Sequence, residues 1–205
     1  MEYKGYITVG AGRAEFTERR SEFIGSIAPV TTEEEAREFV RSVSSEFSDA
    51  THNVYCYILR ENNTVRFSDA GEPSGTAGRP ALEVLQREGV TDVALVITRY
   101  FGGILLGAGG LVRAYAASAK AALDAGGRFE MRPAVRLRIE ADYSDHARIS
   151  AFLGEPETVE YGEKVVLTLL CAPEEAEGIS VKLLDMTAGR VKAEQTEVVL
   201  RPIRL

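Results

Sequence analysis

Apolar positions along this chain recur with two periods, two and about 3.6, and the switches between them outline its elements. From Thr8 to Val30 the residues alternate in strand fashion, most clearly over Ser21–Ile27 (SEFIGSI). Thr32–Phe47 changes to a helical period. Ala36, Phe39, Val40, Val43 and Phe47 form one stripe, Glu33, Glu34 and Glu35 fill the first turn, and Thr31 or Thr32 supplies the capping hydroxyl. Thr51–Leu59 (THNVYCYIL) returns to strand, and the turn Glu61-Asn62-Asn63 followed by Thr64–Phe67 predicts a hairpin. The loop Ser68–Arg79 leads to Pro80, expected at the first helical position, and to an amphipathic helix ending near Glu88. Asp92–Thr98 (DVALVIT) is a continuous apolar run of the kind buried on both faces of a sheet. A second glycine-rich loop, Gly102–Gly110, then opens a helix that runs to Ala125.

Ala125-Gly126-Gly127 stops that helix and marks a domain boundary. Beyond it the pattern gives a strand at Ala134–Ala141, a helix at Ser144–Leu153, strands at Thr158–Glu160 and Lys164–Cys171, a helix at Glu174–Leu184 and a strand at Arg190–Leu200. The order βαββαβ is that of the ferredoxin-like plait. The fold class is therefore α+β in two domains, residues 1–131 and 132–205, with no internal repeat and no low-complexity tract.

Composition narrows the class without naming a chemistry. The 205 residues are 45% hydrophobic and 27% charged, ordinary for a soluble globular protein. No apolar run approaches the length of a membrane span, and MEYKGYITVG is not a secretory signal, so a cytoplasmic location with no membrane partner is expected. Cys56 and Cys171 lie far apart in apolar runs and read as buried thiols rather than as a disulfide or a metal pair. The net charge of −7 gives no global attraction to nucleic acid. Its distribution is uneven: residues 60–132 hold 9 Lys/Arg against 8 Asp/Glu, while 1–59 hold 6 against 10 and 133–205 hold 9 against 13. A local anion site fits this balance; a broad polybasic surface does not.

The candidate chemistry lies in the two glycine loops of that middle segment. Gly107, Gly109 and Gly110 fall where a helix begins, where unpaired N–H groups and the positive end of the helix dipole meet an anion. Arg113 in the same first turn sits at the unfavourable end for a cation unless it faces an anion or a carboxylate. Arg79 lies beside the start of the preceding helix, and Arg99 ends an apolar strand. Ser74 and Thr76 offer hydroxyls to an oxyanion, and Tyr100 offers a ring for stacking on a base. The plainer reading is packing: glycines and the alanines of Ala114–Ala122 allow a helix close to a sheet. Asp69 and Glu72 belong to either picture, as bidentate partners of Arg79, Arg99 or Arg113 or as metal or base carboxylates. The loop is neither a Walker loop nor a dinucleotide fingerprint, since no Gly-Lys-Ser/Thr follows and the third glycine position of GAGGLVRA is Val112. His52 reads as a strand-end hydrogen-bonding group and His146 as a surface residue. No nucleophile with a spaced base and no metal cluster is evident, so no cofactor is implied and the reading leans away from an enzyme.

Over Ser68–Leu85 (SDAGEPSGTAGRPALEVL), Val96–Tyr115 (VITRYFGGILLGAGGLVRAY) and, less specifically, Ala50–Tyr57 (ATHNVYCY), the chain resembles the IMPACT/YigZ family. The resemblance covers about residues 1–130, and the C-terminal plait is similar to the second domain of the bacterial members. It implies an N-terminal four-stranded sheet with two helices on one face, like the second domain of a small-subunit ribosomal protein and domain IV of elongation factor G. The plait would then be like domain V of that factor. The eukaryotic members regulate translation under amino-acid starvation by binding a large ribosome-associated kinase activator. They do so partly through an N-terminal RWD domain of which this sequence shows no trace, so that partner is not carried over. Three functions stay open. The first is a translation-associated regulator binding RNA or ribosomal phosphates through Arg79, Arg99 and Arg113, with RNA, the ribosome or another translation factor as partner. The second is an enzyme on a small phosphorylated metabolite or nucleotide, and the third an interaction module whose motif is architectural.

Overall fold

The computed structural model describes residues 5–205; residues 1–4, the start of the segment read as lacking a secretory signal, lie outside it. The chain forms two compact units, one of residues 6–130 with 203–205 and the other built on residues 131–202.

In the N-terminal unit the strands are β1 (Tyr6–Val9), β2 (Gly12–Glu18), β3 (Ser21–Pro29), β4 (His52–Ile58), β5 (Val65–Ser68) and β6 (Val93–Tyr100), and the helices are α1 (Glu33–Glu46), α2 (Gly78–Arg87) and α3 (Ala108–Gly126). Strands β2-β3-β6-β4-β5 pair in that order into one antiparallel sheet. The β1 segment is tied to the approach to β6, where Thr91 N–H donates to Ile7 O at 2.8 Å.

The alternation of β6 decides the layers. Val93, Leu95 and Ile97 join Phe23, Ile27, Val54 and Cys56 in a core closed by α2 and α3. Ala94 turns the other way, toward Val30, Tyr57, Leu59 and Ala36 of α1. Two helices thus share one face, as expected, and α1 covers part of the other, its start capped by the Thr32 and Glu35 pair. The sheet has five strands where four were expected. The alternating stretch from Thr8 is not continuous: Arg19 and Arg20, at φ 46° and 66°, fold it into a two-residue hairpin turn between Glu18 and Ser21. Such a turn needs positive φ at both positions, which asparagine and glycine supply at little cost and arginine does not.

Helix α2 begins at Gly78, so Pro80 takes its third position rather than the first; a missing N–H is harmless in either place. Helix α3 lies so close to β3 that a Cβ at Gly25 would stand 2.8 Å from that of Ala122. The alanine face of α3 is therefore packing surface, with Ala114, Ala119 and Ala122 buried.

The C-terminal unit runs β7 (Arg128–Ala141), α4 (Tyr143–Leu153), β8 (Thr158–Tyr161), β9 (Val165–Cys171), α5 (Pro173–Met186) and β10 (Ala193–Arg204). Strand order is β8-β9-β7, with β10 paired on β7: the ferredoxin-like plait. Leu137, Ile139 and Leu167 of the sheet bury Ile149 of α4 and Leu183 of α5. Asp145, buried at the start of α4, accepts hydrogen bonds from Arg190 and Arg148, which hold its carboxyl below the usual aspartate range. Cys56 and Cys171 are free and buried, and burial pushes both thiols up. Among the described residues no helix is long and apolar enough to cross a membrane.

Candidate functional site

The loop after β5 is organised by Asp69. Its carboxylate accepts hydrogen bonds from the N–H groups of Gly75 at 2.8 Å, Ala77 at 3.1 Å and Gly78 at 2.8 Å. The anion at the N-terminus of α2 is therefore the protein's own side chain. Gly78 must be glycine-sized, because a Cβ there would meet Ser68 O at 2.7 Å. Thr76 is buried with its hydroxyl donating to Pro73 O, Ser74 is exposed, and Arg79 is exposed and paired with Glu83 one turn along. Asp69→Ala leaves three backbone donors without their acceptor. It is expected to lower unfolding stability by about 1–3 kcal/mol, while Asp69→Asn, which keeps one acceptor oxygen, loses less. Urea unfolding of the two variants measures the difference.

Beneath this loop lies a buried polar cluster. Glu72 Oε1 accepts from Arg99 Nη1 at 2.5 Å and from the Tyr115 hydroxyl at 2.8 Å. Arg99 Nη2 reaches Ser21 Oγ at 3.2 Å, and its guanidinium carbon lies 5.5 Å from the ring centres of both Phe23 and Phe101. Burial and the adjacent Glu72 raise the Tyr115 hydroxyl far above the ordinary tyrosine range, so it stays protonated and donates. His52 Nδ1 lies 2.8 Å from Ala70 O; a carbonyl only accepts, so Nδ1 carries the proton. That leaves His52 Nε2 turned to Glu72, 3.8 Å from Oε1. Of the candidate pairings, the structure forms Glu72 with Arg99 and gives Asp69 to backbone N–H groups instead. Among the described residues no group of three or more His, Cys, Asp or Glu side chains is placed to hold a metal ion.

Sequence neighbours part company at β6. Arg99 faces the α2–α3 core, whereas Tyr100, one residue on, turns to the other face and donates from its hydroxyl to Asp49 at 2.8 Å. The structure therefore does not bring Tyr100 to the buried cluster. Tyr115, Ser21 and His52 join it without having been singled out for that role. Tyr115 carried a readable signal, a hydroxyl on an alanine face that it shares with Ser118; Ser21 carried none.

Arg113 differs from the other two arginines. Expected in the first turn of α3, it lies in the second, because the helix starts at Ala108; it is exposed and makes no hydrogen bond or ion pair with any described residue. Leu111 is the first residue of α3 whose N–H reaches a helical carbonyl, that of Gly107 at 2.9 Å. The N–H groups of Ala108, Gly109 and Gly110 have no acceptor within the helix. Gly107, at φ 71°, turns the chain into this start. Arg113 and Gly110 line a cavity of about 240 Å³ shared with Phe16, Arg19 and Leu106. Arg19 gets there because the Arg19-Arg20 turn presses on the second glycine loop: a Cβ at Gly102 would lie 1.9 Å from Arg20 O. Among the described residues Arg19 has one ion-pair partner, Glu18 at 3.9 Å, whose residue lines the same cavity. Neither Arg19 nor Arg20 was among the sequence candidates, although two adjacent cations interrupting an alternating strand were visible. On the other side of Leu106 lies a second cavity, of about 420 Å³, lined by His52, Glu72, Arg99, Phe101 and Leu105 among others.

Comparison with known proteins places this arrangement. The model of the Impact N-terminal domain matches residues 19–123, and a domain of unknown function, DUF1949, matches residues 139–190. IMPACT family member YvyE of Bacillus subtilis is 37% identical over 199 residues, spanning 94% of this chain and 92% of that protein. The chain belongs to the IMPACT family. Its similarity to the family member YigZ of Escherichia coli is 33% over 181 residues, covering 85% of this chain and 89% of that one. Protein IMPACT of Oryctolagus cuniculus aligns over 95 residues only, at 34% identity, 44% of this chain and 30% of that protein. A solved structure described as that of a hypothetical protein superposes with a TM-score of 0.60 at 30% identity, covering 95% of this chain and 98% of its own. Both glycine loops, the Arg19-Arg20 turn and the buried cluster lie inside the IMPACT N-terminal match.

Proposed function

We propose that this IMPACT-family protein is a translation-associated regulator that binds RNA, including ribosomal RNA, by its phosphates. The observation that carries this reading is Arg113, a permanently charged fork without a carboxylate partner among the described residues, in a cavity it shares with Arg19, Glu18 and Gly110 of the α3 N-terminus. The family resemblance supplies the link to translation, while the site supplies the anion chemistry. Arg99 meets no phosphate; its guanidinium is buried on Glu72 beneath the Ser68–Arg79 loop. Arg79, tied to Glu83 but exposed, lies at the margin. A purely architectural motif would have each of the three arginines paired with a carboxylate, and Arg113 is not.

With a net charge of −7, binding at this one patch is specific in position rather than a general cationic effect. Co-sedimentation with ribosomes tests the reading. The wild-type chain is expected in the pellet at low salt, and the Arg19→Ala/Arg113→Ala variant, with unchanged melting temperature, in the supernatant. A folded double variant that pellets like wild type would rule out this site as the contact.

A further inference from the structure

The second cavity has an open hydrogen-bond acceptor at its floor. Glu72 Oε1 is saturated by Arg99 and Tyr115, but Oε2 accepts no hydrogen bond among the described residues. Arg99 Nε also has no partner, but it is closed off from the cavity, whereas Glu72 Oε2 keeps open surface. A buried acceptor left without a donor costs free energy that a bound donor recovers. Glu72 is more than nine-tenths buried and lines the cavity, and His52 lines it beside Glu72. The walls are apolar, from Leu106 and Leu111 to Phe101 and Leu105, which are 44% and 81% exposed at the mouth. A volume of about 420 Å³ falls in the range of small-ligand sites, where an apolar slot with a few converging polar groups is the common form.

The ligand must then be flat or compact, apolar on its faces, and must carry a hydrogen-bond donor on one edge. Leu106 is common to this cavity and to the one holding Arg19 and Arg113, so an anion can sit next door. A nucleotide has this combination of properties: every base carries an N–H donor on an edge, and its phosphate lies a few bonds away. Aromatic and apolar walls receive unstacked bases in single-stranded RNA recognition. Building on the phosphate-binding reading above, we propose that the Glu72–Arg99–His52 cavity receives one unstacked base of a single-stranded RNA. The phosphate of that nucleotide lies on the Arg113 side of Leu106.

Ala108→Phe blocks the slot without touching the buried cluster, since Ala108 is exposed and lines the cavity wall. Affinity is measured for a short single-stranded RNA and for the same strand with abasic positions. Wild type is expected to bind the abasic strand about tenfold or more weaker. The Ala108→Phe variant should bind the intact strand as weakly as wild type binds the abasic one, with an unchanged salt slope. Equal wild-type affinity for both strands, or an intact-strand affinity unaltered by Ala108→Phe, overturns the base pocket and leaves phosphate binding standing. Titration of the four nucleoside monophosphates, followed by amide NMR shifts at Gly71, Phe101 and Leu105, separates the remaining cases. Shifts abolished by Ala108→Phe in a protein that does not bind RNA would keep the pocket and remove the RNA reading. No shifts and no RNA binding would remove both.

Discussion

Glu72→Ala is expected to destabilise the N-terminal unit by about 3–5 kcal/mol, the cost of leaving one half of a buried ion pair without its partner. The loss is large because one carboxylate oxygen serves two buried donors, Arg99 Nη1 and the Tyr115 hydroxyl, and lies close to His52. Glu72→Gln keeps an acceptor but not the charge, and should recover part of the stability. The pair Glu72→Met/Arg99→Met removes both charges together and should recover more than Arg99→Met does alone, since buried ion pairs often exchange for apolar side chains without net loss. Urea unfolding of the set decides this. A Glu72→Ala cost under about 1 kcal/mol would mean that the cluster is hydrated and contributes little.

Gly102→Ala comes second and acts through the backbone. The new Cβ would stand 1.9 Å from Arg20 O and 2.0 Å from its carbonyl carbon, and neither atom belongs to a flexible side chain. Either the hairpin turn lifts off the glycine loop or the unit loses on the order of 4 kcal/mol, the upper range for single substitutions. Gly103 is the internal control. Its φ of 83° disfavours alanine, but nothing stands within 4 Å of its Cβ position, so Gly103→Ala should cost only about 1–2 kcal/mol. Hydrogen exchange at Ser21 and Glu22 separates a lifted turn from global destabilisation. If Gly102→Ala and Gly103→Ala behave alike, the turn is not seated on Gly102.

Most of the fold was legible because hydrophobic period and caps speak locally. The stripe from Ala36 to Phe47, the unbroken apolar run of β6 and the βαββαβ order each follow from side chains a few residues apart. The Arg19-Arg20 turn did not follow, since arginine is a poor residue for positive φ and the alternation on either side of it stays in phase with strand. The glycine loops were readable as special but not as to what fills them. Asp69 occupying the start of α2, and Glu72 choosing Arg99 over Arg113, are consequences of tertiary register. His52 opposite Arg99 across β4 and β6 brings the histidine to a loop 20 residues further on in the chain. Sequence spacing contains no such information.

The salt dependence of RNA affinity at the Arg19 and Arg113 cavity bears most directly on the function proposed. Each phosphate contact to a single strand contributes about 0.7 to the slope of log K against log salt concentration. The Arg19→Ala/Arg113→Ala variant should therefore bind single-stranded RNA more weakly than wild type, with a slope shallower by about 1.4 if each arginine meets one phosphate. A folded double variant with wild-type affinity and an unchanged slope would contradict phosphate binding at this site.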